Sequence, residues 1–347
     1  MKKLLIALFF CSLLFACTQK KAVKQVPLDH LSMNQLDSLW KKYPDSVPVL
    51  STYGSKLLDD LQGDSALPIL AKAHRLRPQD IDLEALYASA LVNRIHKTTS
   101  EVETAINILK EIIKKQPGNK RALLDLATAY SFFQDYENTF KYANDALRID
   151  KKYRDAYMVK GRAYYKMGNM KLAKSSFETA VQQDTKFFLG YLQLGWLYTE
   201  TEDYKHALEY FTTARTLDEK STDAIYGVAY CQQMLNEYGE AMQSYRDLLK
   251  VDSVYYLAYF NQAYIKEYGE KEIDSAVFYY KKALELQPEF VKGWHQLGMC
   301  YLEKGHKETA LVAFQKALEF NPDYEPTRYI LKRDYKNFKF TGKEINH

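Results

Sequence analysis

Glycine and proline are scarce in this 347-residue chain, at 14 and 9 residues, and there are only four cysteines. Because few residues interrupt helices, the composition favours an all-α protein. The net charge is a mild +4 without a long basic run, so nucleic acid is disfavoured as a partner. The apolar run from Leu4 to Ala16 is too short for a membrane-spanning helix, which needs about 20 residues.

Motifs for enzymatic chemistry are absent as well. The sequence has no H-E-x-x-H, no phosphate-binding glycine loop, no C-x-x-C pair and no nucleophile elbow. Its carboxylates fall mostly on predicted helix surfaces or at turns, as Asp184, Asp218 and Asp252 do at the ends of three predicted helices. We therefore predict a protein that is not an enzyme and that has no catalytic residues, cofactor or metal site.

The first residues carry a short targeting pattern. Two lysines precede the apolar run, as is typical of a secretory signal. The run ends in the letters LFAC at Cys17, which resemble the lipobox of bacterial lipoproteins, although Phe15 is bulkier than the usual occupant. The resemblance implies a signal peptide at 1–16, lipidation of Cys17 and a tether at 17–28. The alternative is an ordinary signal peptide in which Cys17 is incidental.

The residue after Cys17 bears on the destination of such a lipoprotein. Thr18 stands in place of the Asp that retains lipoproteins in the inner membrane of some bacteria. The resemblance therefore implies anchoring in the bacterial outer membrane, facing the periplasm. The inner membrane and the cell surface remain alternatives.

The body of the chain repeats itself about every 34 residues. Small residues of the first half of each copy align as Gly54, Ala88, Ala127, Gly161, Gly195, Ala229, Ala263 and Gly298. Large residues of the second half align as Leu70, Leu109, Ala143, Phe177, Phe211, Tyr245, Tyr280 and Phe314. This spacing predicts helical hairpins in which the large side chain fills the space over the small residue, so that stacked copies share a core. One extra residue precedes Ala276, and a predicted loop insertion surrounds residues 97–102.

The last copy matches a known repeat at nearly every defining residue. Those residues are Trp294, Leu297, Gly298, Tyr301, Ala310, Phe314, Ala317 and Pro322. The pattern resembles the tetratricopeptide repeat, or TPR. The resemblance implies an all-α, right-handed superhelical solenoid of about eight repeats over 47–324. We expect an N-terminal capping helix within 29–46, and a C-terminal capping helix and a tail within 325–347.

The two capping segments have signals of their own. Ser32 and Gln35 predict a capping box at the start of the N-terminal cap. In the C-terminal cap, Tyr329 and either Ile330 or Leu331 are expected to face inward.

The stretch WHQLGMCY, Trp294 to Tyr301, contains three soft metal ligands. In the repeat register His295 and Met299 share one helix face, whereas Cys300 takes an apolar core position that Cys231 occupies two copies earlier. Ligands that point apart do not make a metal site, because closed sites need three or four convergent ligands. Cys231 and Cys300 are also too far apart for a disulfide, so we predict two free, buried thiols.

In the TPR family the first helices of the repeats line a concave surface on which partners bind. The resemblance predicts a groove formed by Arg121, Leu124, Met158, Arg162, Lys166, Leu192, Trp196, Tyr226, Tyr230, Phe260, Asn261, Tyr264, His295 and Met299. Its aromatic members would form a wall in consecutive copies, with positive charge near the middle of the array. The alternative is that these aromatics are ordinary packing residues.

These observations predict a membrane-anchored scaffold or adaptor of the bacterial cell envelope, with a protein or peptide partner in the groove. The alternative is an outer-membrane lipoprotein that binds glycans or short peptides, with the aromatic wall stacking on sugar rings.

Overall fold

The structure, a computed structural model, describes residues 27–335. Every regular element in this range is helical, which confirms the predicted all-α class. The predicted signal peptide, Cys17, most of the predicted tether and residues 336–347 lie outside the described range.

The described part of the chain divides into two compact units between Ile149 and Asp150, which we call the N-terminal and C-terminal units. The N-terminal unit begins with a 3-10 turn, Leu28–His30, and a capping helix, α1. Three hairpins follow, α2 with α3, α4 with α5 and α6 with α7. The bounds are α1 Met33–Lys42, α2 Val47–Asp59, α3 Gly63–Leu76, α4 Ile81–Val92, α5 Thr99–Lys115, α6 Lys120–Phe132 and α7 Tyr136–Ile149.

The C-terminal unit contains five more hairpins and a closing helix, α18. One first helix, α14, continues into a π-helical turn, Ile265–Gly269. The bounds are α8 Arg154–Lys166, α9 Met170–Gln183, α10 Phe188–Glu200, α11 Tyr204–Leu217, α12 Thr222–Met234, α13 Tyr238–Val251, α14 Tyr256–Tyr264, α15 Ile273–Leu286, α16 Val291–Glu303, α17 Lys307–Phe320 and α18 Glu325–Asp334.

The predicted pairing of small and large residues holds each hairpin of this unit together. A Cβ atom added at Gly161 would lie 2.4 Å from the Phe177 ring, and one added at Gly298 would lie 2.5 Å from the Phe314 ring. Both rings are buried. Close packing of this kind leaves no room for a larger residue in the first helix.

Local hydrogen bonds set where the helices begin and where the chain turns. Asp203 caps α11 by accepting from the backbone N–H of His206 at 3.3 Å. Between hairpins, Asp184, Asp218 and Asp252 each accept a hydrogen bond from the backbone N–H two residues further on. The prediction that these carboxylates serve turns is confirmed.

The extra residue before Ala276 is taken up inside a helix. The C-terminal end of α14 widens into the π-helical turn, in which Glu270 N–H bonds to the carbonyl of Ile265 at 3.0 Å. A π-helical turn accommodates one inserted residue without breaking the helix.

The insertion in the second repeat lies earlier than predicted. Its loop runs from Asn93 to Thr98, because Thr98 and Glu101 form a capping box that starts α5 at Thr99. Asp64 holds this loop by accepting hydrogen bonds from the Arg94 side chain at 2.9 Å and from the Ile95 N–H at 3.0 Å.

Both predicted capping helices are present. Ser32 and Gln35 form the predicted capping box of α1, and Leu36 of that helix is buried. In α18, Ile330 and Leu331 are buried, but Tyr329 is 62% exposed. The prediction for Tyr329 is therefore wrong, since the two residues that follow it fill the inward face of this short helix.

Cys231 and Cys300 are free and buried, as predicted. Within residues 27–335, no helix is both long and apolar enough to cross a membrane.

Candidate functional site

The candidate site lies on the first helices of the C-terminal unit, α8, α10, α12, α14 and α16. Two successive turns of these helices were predicted to line a groove. Residues of the first turn are Met158, Leu192, Tyr226, Phe260 and His295. Residues of the second turn are Arg162, Trp196, Tyr230, Tyr264 and Met299. We call the surface formed by the second turn, together with the residues exposed beside it, the first-helix face.

Most residues of the first turn belong to the core instead. Met158, Leu192 and Phe260 are at most 6% exposed, and the Phe260 ring packs edge-on against Phe290 at 4.9 Å. Asn261 is also buried. The expectation that these four side chains line an open groove is therefore wrong, because the neighbouring hairpin covers them.

The closing helix α18 contacts α16, the first helix of the last hairpin. His295 Nδ1 lies 2.9 Å from Oγ1 of Thr327, a fully buried residue of α18. Burial lowers the pKa of His295 and so favours its neutral form. Met299 packs beside Leu302 in the same cluster as α18. The predicted groove positions His295 and Met299 therefore hold the cap.

Two predicted groove residues lie on α6 of the N-terminal unit. Leu124 is half-buried, and Arg121 pairs with Asp59 of α2 at 2.9 Å. The positive charge expected of Arg121 is thus matched within its own unit.

The part of the predicted groove that solvent can reach is a strip of aromatic residues on three first helices. We call Trp196, Tyr226, Tyr230, Tyr264 and Tyr268 the aromatic strip. Trp196 lies 6.2 Å from Tyr226, and the rings of Tyr226 and Tyr230 are nearly parallel at 6.1 Å. Tyr264 and Tyr268 are 4.6 Å apart. Tyr268 is exposed, and the other four are half-buried.

The strip is held in place from below. The Trp196 ring contacts the buried Phe211 edge-on at 4.8 Å. The buried Asn261 donates a hydrogen bond to the Tyr226 hydroxyl at 3.2 Å. Burial raises the pKa of both Tyr226 and Tyr230, so their hydroxyls stay neutral. The strip therefore offers fixed, uncharged rings with hydroxyl groups that can donate or accept.

Tyr268 was not predicted. Its side chain is 43% exposed, and its hydroxyl accepts a hydrogen bond from Gln296 Nε2 at 3.1 Å. The single inserted residue before Ala276 was the available signal, because the π-helical turn it produces contains Tyr268.

A buried carboxyl group lies beside Tyr268. Glu267 is 5% exposed, and its Oε2 accepts a hydrogen bond from the Tyr280 hydroxyl at 2.6 Å. Burial raises the pKa of Glu267, against the opposing effect of hydrogen bonds from Tyr280, Tyr268 and Cys300. The same carboxyl contributes, after burial, to raising the pKa of the Cys300 thiol. Cys300 therefore faces Glu267, away from His295.

Two cations lie at the α8 end of the face. Arg162 and Lys166 are exposed, one helical turn apart. A cavity of about 270 Å³ is lined by residues of α8, α9 and α10, namely Tyr165, Phe177, Gln193, Trp196, Leu197, Thr199 and Glu200. The face thus combines positive charge, a side-chain-sized cavity and aromatic rings.

Comparisons with known proteins agree with the helical-repeat architecture. A tetratricopeptide repeat model matches residues 291–324, and a coatomer epsilon subunit model matches residues 70–289. A TPR repeat-containing protein of Methanocaldococcus jannaschii is 24% identical over 281 residues, which are 74% of this chain and 47% of that protein.

A second relative carries the name of an enzyme. UDP-N-acetylglucosamine–peptide N-acetylglucosaminyltransferase of Giardia intestinalis is 30% identical over 166 residues, which are 47% of this chain but 9% of that protein. The chain spans less than half the length of both relatives.

Among solved structures, the crystal structure of the APC/C hetero-tetramer Cut9–Hcn1 is similar, with a TM-score of 0.59 and 16% identity. The similarity covers 87% of this chain and 58% of the other. At this identity it shows a shared fold and nothing further.

Proposed function

Because the chain belongs to the tetratricopeptide-repeat family, and matches the coatomer epsilon subunit model over more than half its length, we propose that it is a protein-binding scaffold of the bacterial cell envelope. A partner protein or peptide binds on the first-helix face of the C-terminal unit. The scaffold is tethered to the outer membrane through a lipid on Cys17, faces the periplasm and catalyses no reaction.

The aromatic strip is the observation that carries this proposal. Large apolar side chains that remain exposed in a continuous patch usually mark an interaction site. Trp and Tyr are also enriched among the residues that dominate binding energy, because each buries a large area at a low cost in side-chain entropy. The ring contacts of Trp196 with Phe211 and Tyr226 fix the surface before a partner arrives.

The tether rests on the sequence alone. The apolar run and the lipobox-like letters that end at Cys17 support a lipid anchor. A single anchored chain with a stacked-repeat body would hold its partner close to the membrane surface. Outer-membrane placement rests on Thr18, the residue after Cys17.

Affinity capture with matched variants tests the binding face. The full chain, extracted from membranes in mild detergent, would be compared with a Tyr230→Ala, Tyr268→Ala double variant. A Phe278→Ala control removes an exposed aromatic, 55% accessible, from the second helix α15. We expect the partner to be recovered with the wild type and the control, and to be lost with the double variant.

Unchanged recovery with the double variant would remove the first-helix face as the binding site. A circular dichroism melt of each variant accompanies the capture, since a loss of binding counts only where the fold is retained. Calorimetry with cell-envelope oligosaccharides tests the alternative, that the strip binds glycans.

A further inference from the structure

Two cations at the α8 end of the first-helix face have no ion-pair partner among the residues that the structure describes. Arg162 and Lys166 form no hydrogen bond or ion pair with any other residue that the structure describes. Two other arginines of this unit are paired, Arg154 with Asp184 and Arg215 with Asp247. Arg162 differs from both in having no carboxylate partner.

The carboxylates of this part of the face are already engaged. Asp155 lies two turns before Arg162 on α8 and pairs with Arg154 at 3.7 Å. Glu200 occupies on α10 the position that Lys166 occupies on α8, and it accepts a hydrogen bond from the Tyr165 hydroxyl. No carboxylate that the structure describes lies within ion-pairing distance of Arg162 or Lys166, so a partner can supply one.

Arg162 is placed to bind a negatively charged group from a partner. Its side chain reaches solvent, yet the protein around it desolvates the guanidinium enough to lower its pKa, with Asp155 acting in the opposite direction. An arginine stays charged under these conditions and gains most from an anion that forms two parallel hydrogen bonds. A carboxylate has that geometry.

An apolar contact lies one helix away. Trp196 occupies on α10 the position that Arg162 occupies on α8, and Tyr230 follows on α12. The cavity of about 270 Å³ beside Trp196 accepts one side chain. Adjacent packed helices lie about 10 Å apart, which an extended peptide covers in about three residues.

We propose that the partner segment bound on this face carries an Asp or Glu side chain about three residues from an aromatic or branched apolar side chain. The carboxylate pairs with Arg162 and Lys166, and the apolar side chain contacts Trp196 and enters the cavity beside it. This inference rests on the proposed function and names the chemistry of the partner.

Peptide display tests it directly. A phage library of random dodecapeptides would be selected on the detergent-solubilised full chain, and the enriched peptides would be synthesised. Their affinities would be measured for the wild type, for Arg162→Gln with Lys166→Gln, and for a charge-matched control, Lys152→Gln with Lys171→Gln. The control lysines are exposed, in the turn before α8 and on α9.

The proposal expects peptides enriched in Asp or Glu near an aromatic or branched residue. It expects the Arg162, Lys166 variant to bind them at least about tenfold more weakly, since a hydrogen bond to a charged group contributes that much, and the control to bind within about twofold. Replacing the acidic residue of the peptide by its amide should cause the same loss.

Two other outcomes separate the inference from the function on which it rests. Peptides that lack acidic residues but lose affinity on Tyr230→Ala would overturn the inference and leave the binding face in place. Peptides insensitive to both sets of substitutions, or no enrichment at all, would overturn both.

Discussion

The ring of Phe211 lies directly against the backbone of Gly227, so that a Cβ atom added there would be 2.4 Å from the ring. Gly227 belongs to α12 of the following hairpin. On its other side the same ring faces Gly195 of α10, where an added Cβ would be 2.6 Å away. One aromatic side chain thus joins two successive hairpins through two glycines. Trp196 rests on this ring, so the aromatic strip depends on the same contact.

Gly227→Ala should destabilise the protein by roughly 1–3 kcal/mol, the usual cost of overpacking a core, although alanine is the better helix former. The Phe211 ring is fully buried and lies against both Gly195 and Gly227. Gly239→Ala is the control, because an added Cβ there meets nothing within 4 Å. The control should be neutral or more stable by up to about 1 kcal/mol. Urea unfolding of the two variants measures both effects, and equal stabilities would contradict the packing described here.

Glu267 predicts a specific dependence of stability on pH. Because its pKa is raised in the folded state, the folded protein holds this proton more tightly than the unfolded chain does. Its contribution is therefore complete below about pH 4, the unfolded range of a glutamate, and is lost as pH rises through the folded pKa. Glu267→Gln removes this loss while keeping an acceptor for the Tyr280 hydroxyl.

Calorimetric melts from pH 4 to pH 8 test this prediction. The melting temperature of Glu267→Gln, relative to that of the wild type, should increase with pH. A difference that stays constant, or that falls as pH rises, would show that the folded pKa of Glu267 is not raised.

The lowered pKa of His295 predicts the opposite trend for the closing helix α18, whose stability should rise with pH. The pKa of His295 is lowered in the folded state, so its contribution is complete above about pH 6.5, the unfolded value, and is lost as pH falls from there through the folded pKa. Protonation of the half-buried imidazole beside Thr327 should therefore loosen α18. Hydrogen exchange of the α18 amides, corrected for intrinsic rates, should show less protection at pH 5.5 than at pH 7.5.

The variant His295→Gln cannot titrate and serves as the control for α18. Its protection should be the same at the two pH values after correction. If the wild type and the variant respond identically to pH, another group controls the cap.

Substitution of Cys17 tests the proposed lipid anchor. Cys17→Ala should abolish labelling by an alkyne analogue of palmitate and should move the protein from the membrane pellet to the soluble fraction. The control is Cys231→Ala, which replaces a buried cysteine and leaves the lipobox intact. This variant should be labelled to the same extent as the wild type. Labelling of Cys17→Ala, or its retention in the membrane pellet, would contradict lipid anchoring at this residue.

The hairpins could be predicted because their signal is repeated. Each Gly–Phe pair, such as Gly161 with Phe177, indicates a point where two helices pack so closely that only a glycine fits against the ring. Because the pair recurs along the chain, its spacing gives the register of the repeats. The capping box at Ser32 could also be predicted, because Ser32 and Gln35, its two side chains, lie three residues apart in the sequence.

The candidate site was harder to predict. Phe260 and Trp196 lie at adjacent turns of equivalent helices, and helical periodicity alone does not say which turn the neighbouring hairpin covers. His295 has the same position as Tyr226 but meets α18, a contact that involves a residue outside the repeat pattern. Tyr268 was missed because an inserted residue can be absorbed by a turn as easily as by a helix. For Phe260 and His295 a non-local contact decides the outcome, and for Tyr268 a local change of helix type does.

Photocrosslinking in the cell tests the central claim, that a partner binds the first-helix face of the C-terminal unit. A photoreactive phenylalanine analogue would replace Tyr230 on the face or Phe278 on the second helix α15, in the full-length chain. The account predicts a discrete crosslinked partner from position 230 and none from position 278. Crosslinks from position 278 with none from position 230 would contradict it.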